Sequence, residues 1–196
     1  VPVPPTPAPA FDDLDGLSAE ATAAIERLVD LGITTGTSDT TFSPAQITER
    51  WQMALFLTRV LTATGTTLPA VEWSFSDLAG YSTDAQTAMN QLAFLEISTG
   101  TSANEFSPAG EVTRWQMALF LTRTLEASGY ALPSPGATTF TDIAGYPDEV
   151  QAAVGVLTTL GVTTGTSDTT FEPETPLPRW QMALFLTRTI DVIQQG

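Results

Sequence analysis

The sequence predicts a mainly α fold: three tandem helix–loop–helix repeats with pseudo-threefold symmetry around a central three-helix bundle. Three observations lead there. The decamer RWQMALFLTR stands at residues 50–59, again at 114–123 and again at 179–188. Around it, three segments of forty-nine residues (11–59, 75–123 and 140–188) align without a gap, and the first and third are identical at 29 positions. A fixed period of this kind marks a repeat architecture, in which each unit buries its apolar face against its neighbours. As a helix the decamer is also apolar almost all round, with Trp51, Leu55 and Thr58 on one side and Met53, Phe56, Leu57 and Val60 on others. Such a helix is buried on several sides. One pair of short helices cannot provide that, whereas three copies packed together in the centre can.

The elements follow in chain order. Residues 1–10, VPVPPTPAPA, read as a proline-rich linker of polyproline type, without the charged start and apolar middle of a signal peptide. The first repeat is expected at 11–59, the second at 75–123 and the third at 140–193, with spacers at 60–74 and 124–139, all forming one globular domain. Each unit opens on an aromatic followed two residues later by an aspartate: Asp13, Asp77 or Asp142. The first helix is amphipathic, with Ala21, Ala24, Ile25, Leu28 and Leu31 at three- and four-residue intervals. Gly32 and Gly161 stand where a helix C-terminal glycine belongs, and the second unit has Glu96 there. A turn-rich loop follows, TTGTSDTTFSP in the first unit. Its glycine (Gly36, Gly100, Gly165) is expected at positive φ, and its phenylalanine (Phe42, Phe106, Phe171) is expected to plug the loop onto the core. The decamer then forms the second helix. Thr113 and Gln116 have capping-box spacing, while Glu49 and Pro178 stand at the matching place, so a clean cap is expected in the second copy alone.

Composition narrows the function. All seven cations are arginine, 22 acids bring the net charge to -15, and neither cysteine nor histidine occurs. Nucleic acid and anionic lipid are poor partners for such a surface. Disulfides, thiolate or imidazole metal sites and a Ser-His-Asp triad are excluded. No window of eighteen apolar residues suggests a membrane span. No cofactor or metal site is expected: a calcium ion at TSDTT would find Asp39 or Asp168, but Ala103 and Asn104 stand in the second unit.

The arginines bracketing the decamer call for two explanations. They lie roughly 13 Å apart along one helix and cannot grip one small ligand together. The last (Arg59, Arg123, Arg188) sits late in its helix, where the dipole favours a cation and surface acids are plentiful. The first (Arg50, Arg114, Arg179) stands at a helix N-terminus, expected beside free backbone N–H groups. That leaves two readings open: a pocket for carboxylate or phosphate, or an internal ion pair to a neighbouring unit's Asp13, Asp77 or Asp142.

The order Phe-x-Asp-(Leu/Ile), a helix, Gly-x-x-x-Gly as in GITTG and GVTTG, then TSDTTFSP, then VTRWQMALFLTR resembles the S-layer homology module in three consecutive copies over nearly residues 11–193. The resemblance implies a three-pronged spindle. It implies a bacterial, extracellular, cell-surface module that anchors its protein non-covalently to a secondary cell-wall polysaccharide, often pyruvylated. It also implies glycan contacts in inter-repeat grooves from the arginine of the Thr-Arg-Ala-Glu motif, which falls on Arg114 and, with altered neighbours, on Arg50 and Arg179. Groove glycines fall on Gly36, Gly100 and Gly165, and aspartates on Asp13, Asp77 and Asp142. The Ala-Glu of the motif is Trp-Gln here, placing Gln52, Gln116 and Gln181 at the acidic contact, and Ser18, Ser82 and Pro147 stand near the place of a customary tryptophan.

Three functions compete. The leading one is a non-catalytic wall-glycan anchor. The second is an assembly module of a surface layer, sheath or fibre acting through protein–protein contacts, with itself or a surface-layer protein. The third is a glycosidase built on adjacent acids such as Asp12 with Asp13 or Glu172 with Glu174, and neither pair recurs in every unit. Trp51, Trp115 and Trp180 bear on the choice between the first two and are expected to be partly buried.

Overall fold

The computed structural model describes residues 11–71 and 75–196. The proline-rich stretch 1–10 lies outside them, as do three residues of the first spacer, 72–74. Each unit contributes two helices: α1 (Ala19–Asp30) and α2 (Arg50–Ala63), α3 (Thr83–Phe94) and α4 (Arg114–Ala127), α5 (Asp148–Thr159) and α6 (Arg179–Gln195). The described residues contain no strand, only three isolated antiparallel bridges, so the fold is mainly α as expected.

The first helices are amphipathic and capped from the sequence. Ser18 and Ser82 accept N–H bonds from Ala21 (3.2 Å) and Ala85 (3.3 Å), while Pro147 offers no side-chain cap. In α1 the buried residues are Ala21, Ala24, Ile25 and Leu28, one face of the helix. Gly32 and Gly161 end α1 and α5 in the left-handed region (φ 69° and 70°), and Glu96 enters the same region after α3 (φ 56°) without glycine's freedom, at a cost of roughly 1 kcal/mol.

The second helices are buried on most sides. In α2 the buried set runs through Met53, Ala54, Phe56, Leu57, Thr58, Val60 and Leu61, which follows from a helix that meets neighbours all round. Helices α2, α4 and α6 touch one another. Each first helix packs mainly against the second helix of the preceding unit: α3 on α2, α5 on α4 and α1 on α6. The last pairing joins the third unit back to the first and closes the circle, so no unit holds a complete core by itself.

Just before the second helices, three extended segments converge. The Thr48 N–H donates to the Leu177 carbonyl (2.9 Å), the Leu177 N–H to Val112 (2.8 Å) and the Val112 N–H to Thr48 (3.0 Å). This closed ring satisfies three buried backbone segments without a sheet.

The helix N-termini differ from expectation. Their first N–H groups are not free, because the following unit's loop takes them: Arg50 and Trp51 donate to the carbonyls of Gly110 (2.9 Å) and Pro108 (3.0 Å), Arg114 and Trp115 to Thr175 (3.1 Å) and Pro173 (3.0 Å), and Arg179 and Trp180 to Gln46 (2.9 Å) and Pro44 (3.1 Å). The capping box also occurs twice rather than once. In the first unit the Glu49 side chain takes the third helical N–H, and Gln52 Oε1 accepts from the Glu49 N–H (3.2 Å). Glutamate thus serves where a threonine does in the second copy.

Candidate functional site

Each loop is built to aim one carbonyl. Gly36 has φ 85°, and a Cβ there would lie 2.5 Å from the Phe11 ring and 2.5 Å from the Thr41 carbonyl oxygen, so the opening aromatic seats on a glycine that nothing larger can replace. Behind the loop, the Asp13 carboxylate accepts the N–H groups of Phe42 (2.9 Å) and Ser43 (2.7 Å). Asp77 does the same for Phe106 (3.0 Å) and Ser107 (2.7 Å), and Asp142 for Phe171 (3.0 Å) and Glu172 (2.7 Å). Ser43, Ser107 and Glu172 all sit at φ near 56°. The carboxylate therefore holds a strained left-handed turn in place.

That turn presents the phenylalanine carbonyl to the preceding unit's first arginine. Arg179 Nε donates to Phe42 (2.8 Å), Arg50 Nε to Phe106 (2.8 Å) and Arg114 Nε to Phe171 (2.7 Å). Each guanidinium also lies over that phenylalanine ring, at 4.5 to 4.8 Å, with a second ring from Phe56, Phe120 or Phe185 at 5.5 to 5.8 Å. Among the described residues no carboxylate pairs with these three arginines, so the ion pair to Asp13, Asp77 or Asp142 is not formed. The aspartate acts one residue removed, gripping the N–H of the phenylalanine whose carbonyl takes Nε. Burial pushes all three arginines below the usual value, Arg179 to about 10, and the nearby acids partly oppose it.

Two open grooves follow from this joint. The groove between the third and first units, about 410 Å³, is lined by Thr34, Thr35, Gly36, Thr37, Gln46, Trp51, Gln52, Leu55, Phe56 and Arg59, with Arg179. The groove between the second and third, about 340 Å³, is lined by Thr163, Thr164, Gly165, Thr166, Trp180, Gln181, Leu184, Phe185 and Arg188, with Arg114. Among the described residues neither lining contains a carboxylate. The structure thus gathers Arg179, Gly36 and Gln52 in one groove and Arg114, Gly165 and Gln181 in the other. At the remaining interface Arg50 reaches into the second unit, which carries Gly100 and Gln116, and bonds Ser98 Oγ (3.0 Å). Asp13, Asp77 and Asp142 lie behind the loops rather than on the groove walls. Trp51, Trp115 and Trp180 are half-buried, as expected.

Sequence reasoning did not place Arg59 and Arg188 in the grooves: it gave the last arginine a surface acid, which Arg188 finds in Glu20 and Arg123 in Glu149, whereas among the described residues Arg59 has none. The distance along one helix was sound, but the first arginine in each groove comes from another copy of the decamer. Only the cyclic order of the units reveals that, and their regular spacing was the available signal.

The S-layer homology domain profile matches residues 10–54, 74–118 and 139–183, more than half of the chain. The chain belongs to the S-layer homology domain family. Among curated proteins it is similar to the "Surface-layer 125 kDa protein" of Lysinibacillus sphaericus, 27% identical over 198 residues covering 96% of this chain and 16% of that protein. It is also similar to an endoglucanase of Bacillus sp. (strain KSM-635), 30% identical over 160 residues, 81% of this chain and 16% of that enzyme. The chain therefore spans about a sixth of the length of either relative. As an S-layer homology module it is a cell-wall anchoring unit, which points to the cell surface. Among the described residues no helix is long and apolar enough to cross a membrane.

Proposed function

We propose that this chain is a non-catalytic module that holds its parent protein to the bacterial cell wall by binding a secondary wall polysaccharide in its inter-unit grooves. The observation that carries this reading is electrostatic. In a chain of net charge -15, each groove lining brings a buried guanidinium together with a second arginine and, among the described residues, includes no carboxylate; Arg188 of the second groove reaches out to Glu20, while Arg59 of the first has no such pair. The grooves are cationic islands fitted to an acidic substituent, and a ketal-linked pyruvate is a compact carboxylate of that kind. Half-buried Trp51 and Trp180 offer an aromatic face to a sugar ring beside threonine and glutamine hydrogen-bonding groups. Glutamine in place of the motif's glutamate keeps a carboxylate off the groove wall beside the arginine.

Two further points support an anchor. Glycoside hydrolysis uses a pair of carboxylates flanking the scissile bond, and among the described residues the groove linings supply none. The relatives are a surface-layer protein and an endoglucanase, as fits a module whose work is independent of its cargo. The assembly reading has less behind it: Phe94 is the one large apolar side chain exposed among the described residues, and an isolated residue makes no contact patch.

Cosedimentation tests the proposal, using cell-wall sacculi that retain their secondary polysaccharide and sacculi stripped of it. Retention on the first and not on the second is expected. Equal retention on both, or on neither with the protein verified as folded, would contradict it.

A further inference from the structure

The three inter-unit joints look equivalent in sequence and are not equivalent in how their arginines are satisfied. In the third–first groove, Arg179 is 3% exposed, and among the described residues its side chain donates only through Nε, with Nη2 buried and without a partner. The residues that would relieve it are occupied. Gln52 Oε1 accepts the Glu49 N–H in the capping box, and Thr34 Oγ1 accepts the Gly36 N–H (3.3 Å). In the second–third groove the N-cap is Pro178, which has no N–H to offer. Gln181 is thereby released from the capping box, and its Oε1 accepts from Arg114 Nη1 (3.3 Å). At the first–second joint the Ser98 hydroxyl accepts from Arg50 Nη2 (3.0 Å).

The decamer's last arginine repeats the asymmetry. Arg188 pairs with Glu20 (2.6 Å) and Arg123 with Glu149 (2.5 Å), each acid being the second residue of the helix packed alongside. The matching residue opposite Arg59 is Asp84, one methylene shorter. Among the described residues Arg59 has no carboxylate within 4.0 Å and donates only to the Ile33 carbonyl (3.0 Å). Both uncommitted guanidiniums line the same groove, over an apolar floor of Leu55 and Phe56 that strengthens any charge pairing made there.

We infer that the third–first groove is this chain's oxyanion site, where Arg59 and Arg179 jointly grip a carboxylate or phosphate carried by the ligand. The inference rests on the wall-binding reading only for the carrier of that anion. It makes Arg59 a specificity-determining residue, and Asp84 the substitution that leaves it available.

The test is an arginine Nε–H NMR titration of the intact chain with sodium pyruvate and, separately, inorganic phosphate. With seven arginines and no lysine, the spectrum has one signal per site. Saturable shifts are expected at Arg59 and Arg179 and not at the other five, and the tighter of the two anions tells carboxylate from phosphate. Asp84→Glu, which supplies the missing reach to Arg59 on an exposed helix turn, should weaken binding about two- to fivefold. Arg59→Gln should weaken it about tenfold. Shifts spread equally over the three joints, shifts led by Arg114 with Arg188, or no saturable shift would overturn the inference. Titration with purified wall polysaccharide separates the two claims. If the polysaccharide binds while Arg59 and Arg179 stay silent, the groove assignment falls and the anchor stands. If the small anions bind and the polysaccharide does not, the site stands and the anchor falls.

Discussion

The two ends of the decamer behave differently, although its ten residues are the same in every copy. At the first arginine the three copies do one thing: Nε on a phenylalanine carbonyl, guanidinium over two rings, an aspartate bracing the turn behind. At the last arginine, and at the outer nitrogens of the first, the copies part. Among the described residues, the outer nitrogens of the first find Ser98, Gln181 or, for Arg179 Nη2, no partner, and the last pairs with Glu149, Glu20 or, for Arg59, no carboxylate. The symmetric contacts use residues inside the repeated pattern and build the joint. The asymmetric ones depend on positions at which the copies differ, such as Pro178, Ser98 and Asp84, and those decide which groove holds an uncommitted charge.

The largest effects should come from the symmetric end. Arg50→Ala and Arg114→Ala each remove a buried, stacked, hydrogen-bonded side chain, and urea denaturation should show a loss of roughly 2–4 kcal/mol. Arg179→Ala should cost about 1 kcal/mol less, because it also removes a buried donor that has no partner. Equal losses in all three would mean that Nη2 of Arg179 is satisfied in solution. Next in size, Asp77→Asn replaces one of two acceptor oxygens at a left-handed turn and should cost about 1–3 kcal/mol. Asp13→Asn and Asp142→Asn should match it, and a large spread among the three would break the claim of an equivalent inner layer.

Smaller effects sharpen the asymmetric end. Pro178→Thr restores an N-cap N–H, so Gln181 should return to a capping box and release Arg114. The second–third groove should then respond to phosphate at the Arg114 Nε signal, with stability changed by about 1 kcal/mol or less. Smallest of all is the response to pH. No histidine is present, so pyruvate affinity should be flat from about pH 6 to about pH 9. It should fall as pH approaches about 10, where Arg179, lowered first by burial against the opposing pull of Asp13, loses its proton and positive charge. A decline near neutrality in the same titration would assign the binding to another group.

Much of the fold was legible because the repeats wrote it three times. The all-round apolar decamer announced a central helix, and Gly36 and Phe42 announced a tight loop plugged onto the core. Long-range cyclic order was harder to read. That α1 lies on α6 depends on chain closure, and local periodicity carries no mark of it. The same gap explains the reading of Arg59 as a surface cation and of the helix N-termini as open to a ligand: both are settled by the neighbouring unit. The capping residues were visible, yet the consequence of Pro178 for Arg114 emerges only once Gln181 and Arg114 face one groove.

The measurement that bears most directly on the whole is calorimetric titration of the chain with purified secondary wall polysaccharide, repeated with Arg59→Gln, Arg123→Gln and Arg188→Gln. One tight site per chain is expected, weakened by Arg59→Gln and unchanged by the other two. Three equal sites, or a loss that follows Arg123 or Arg188 instead, would contradict a wall anchor that works through the groove between its last and first units.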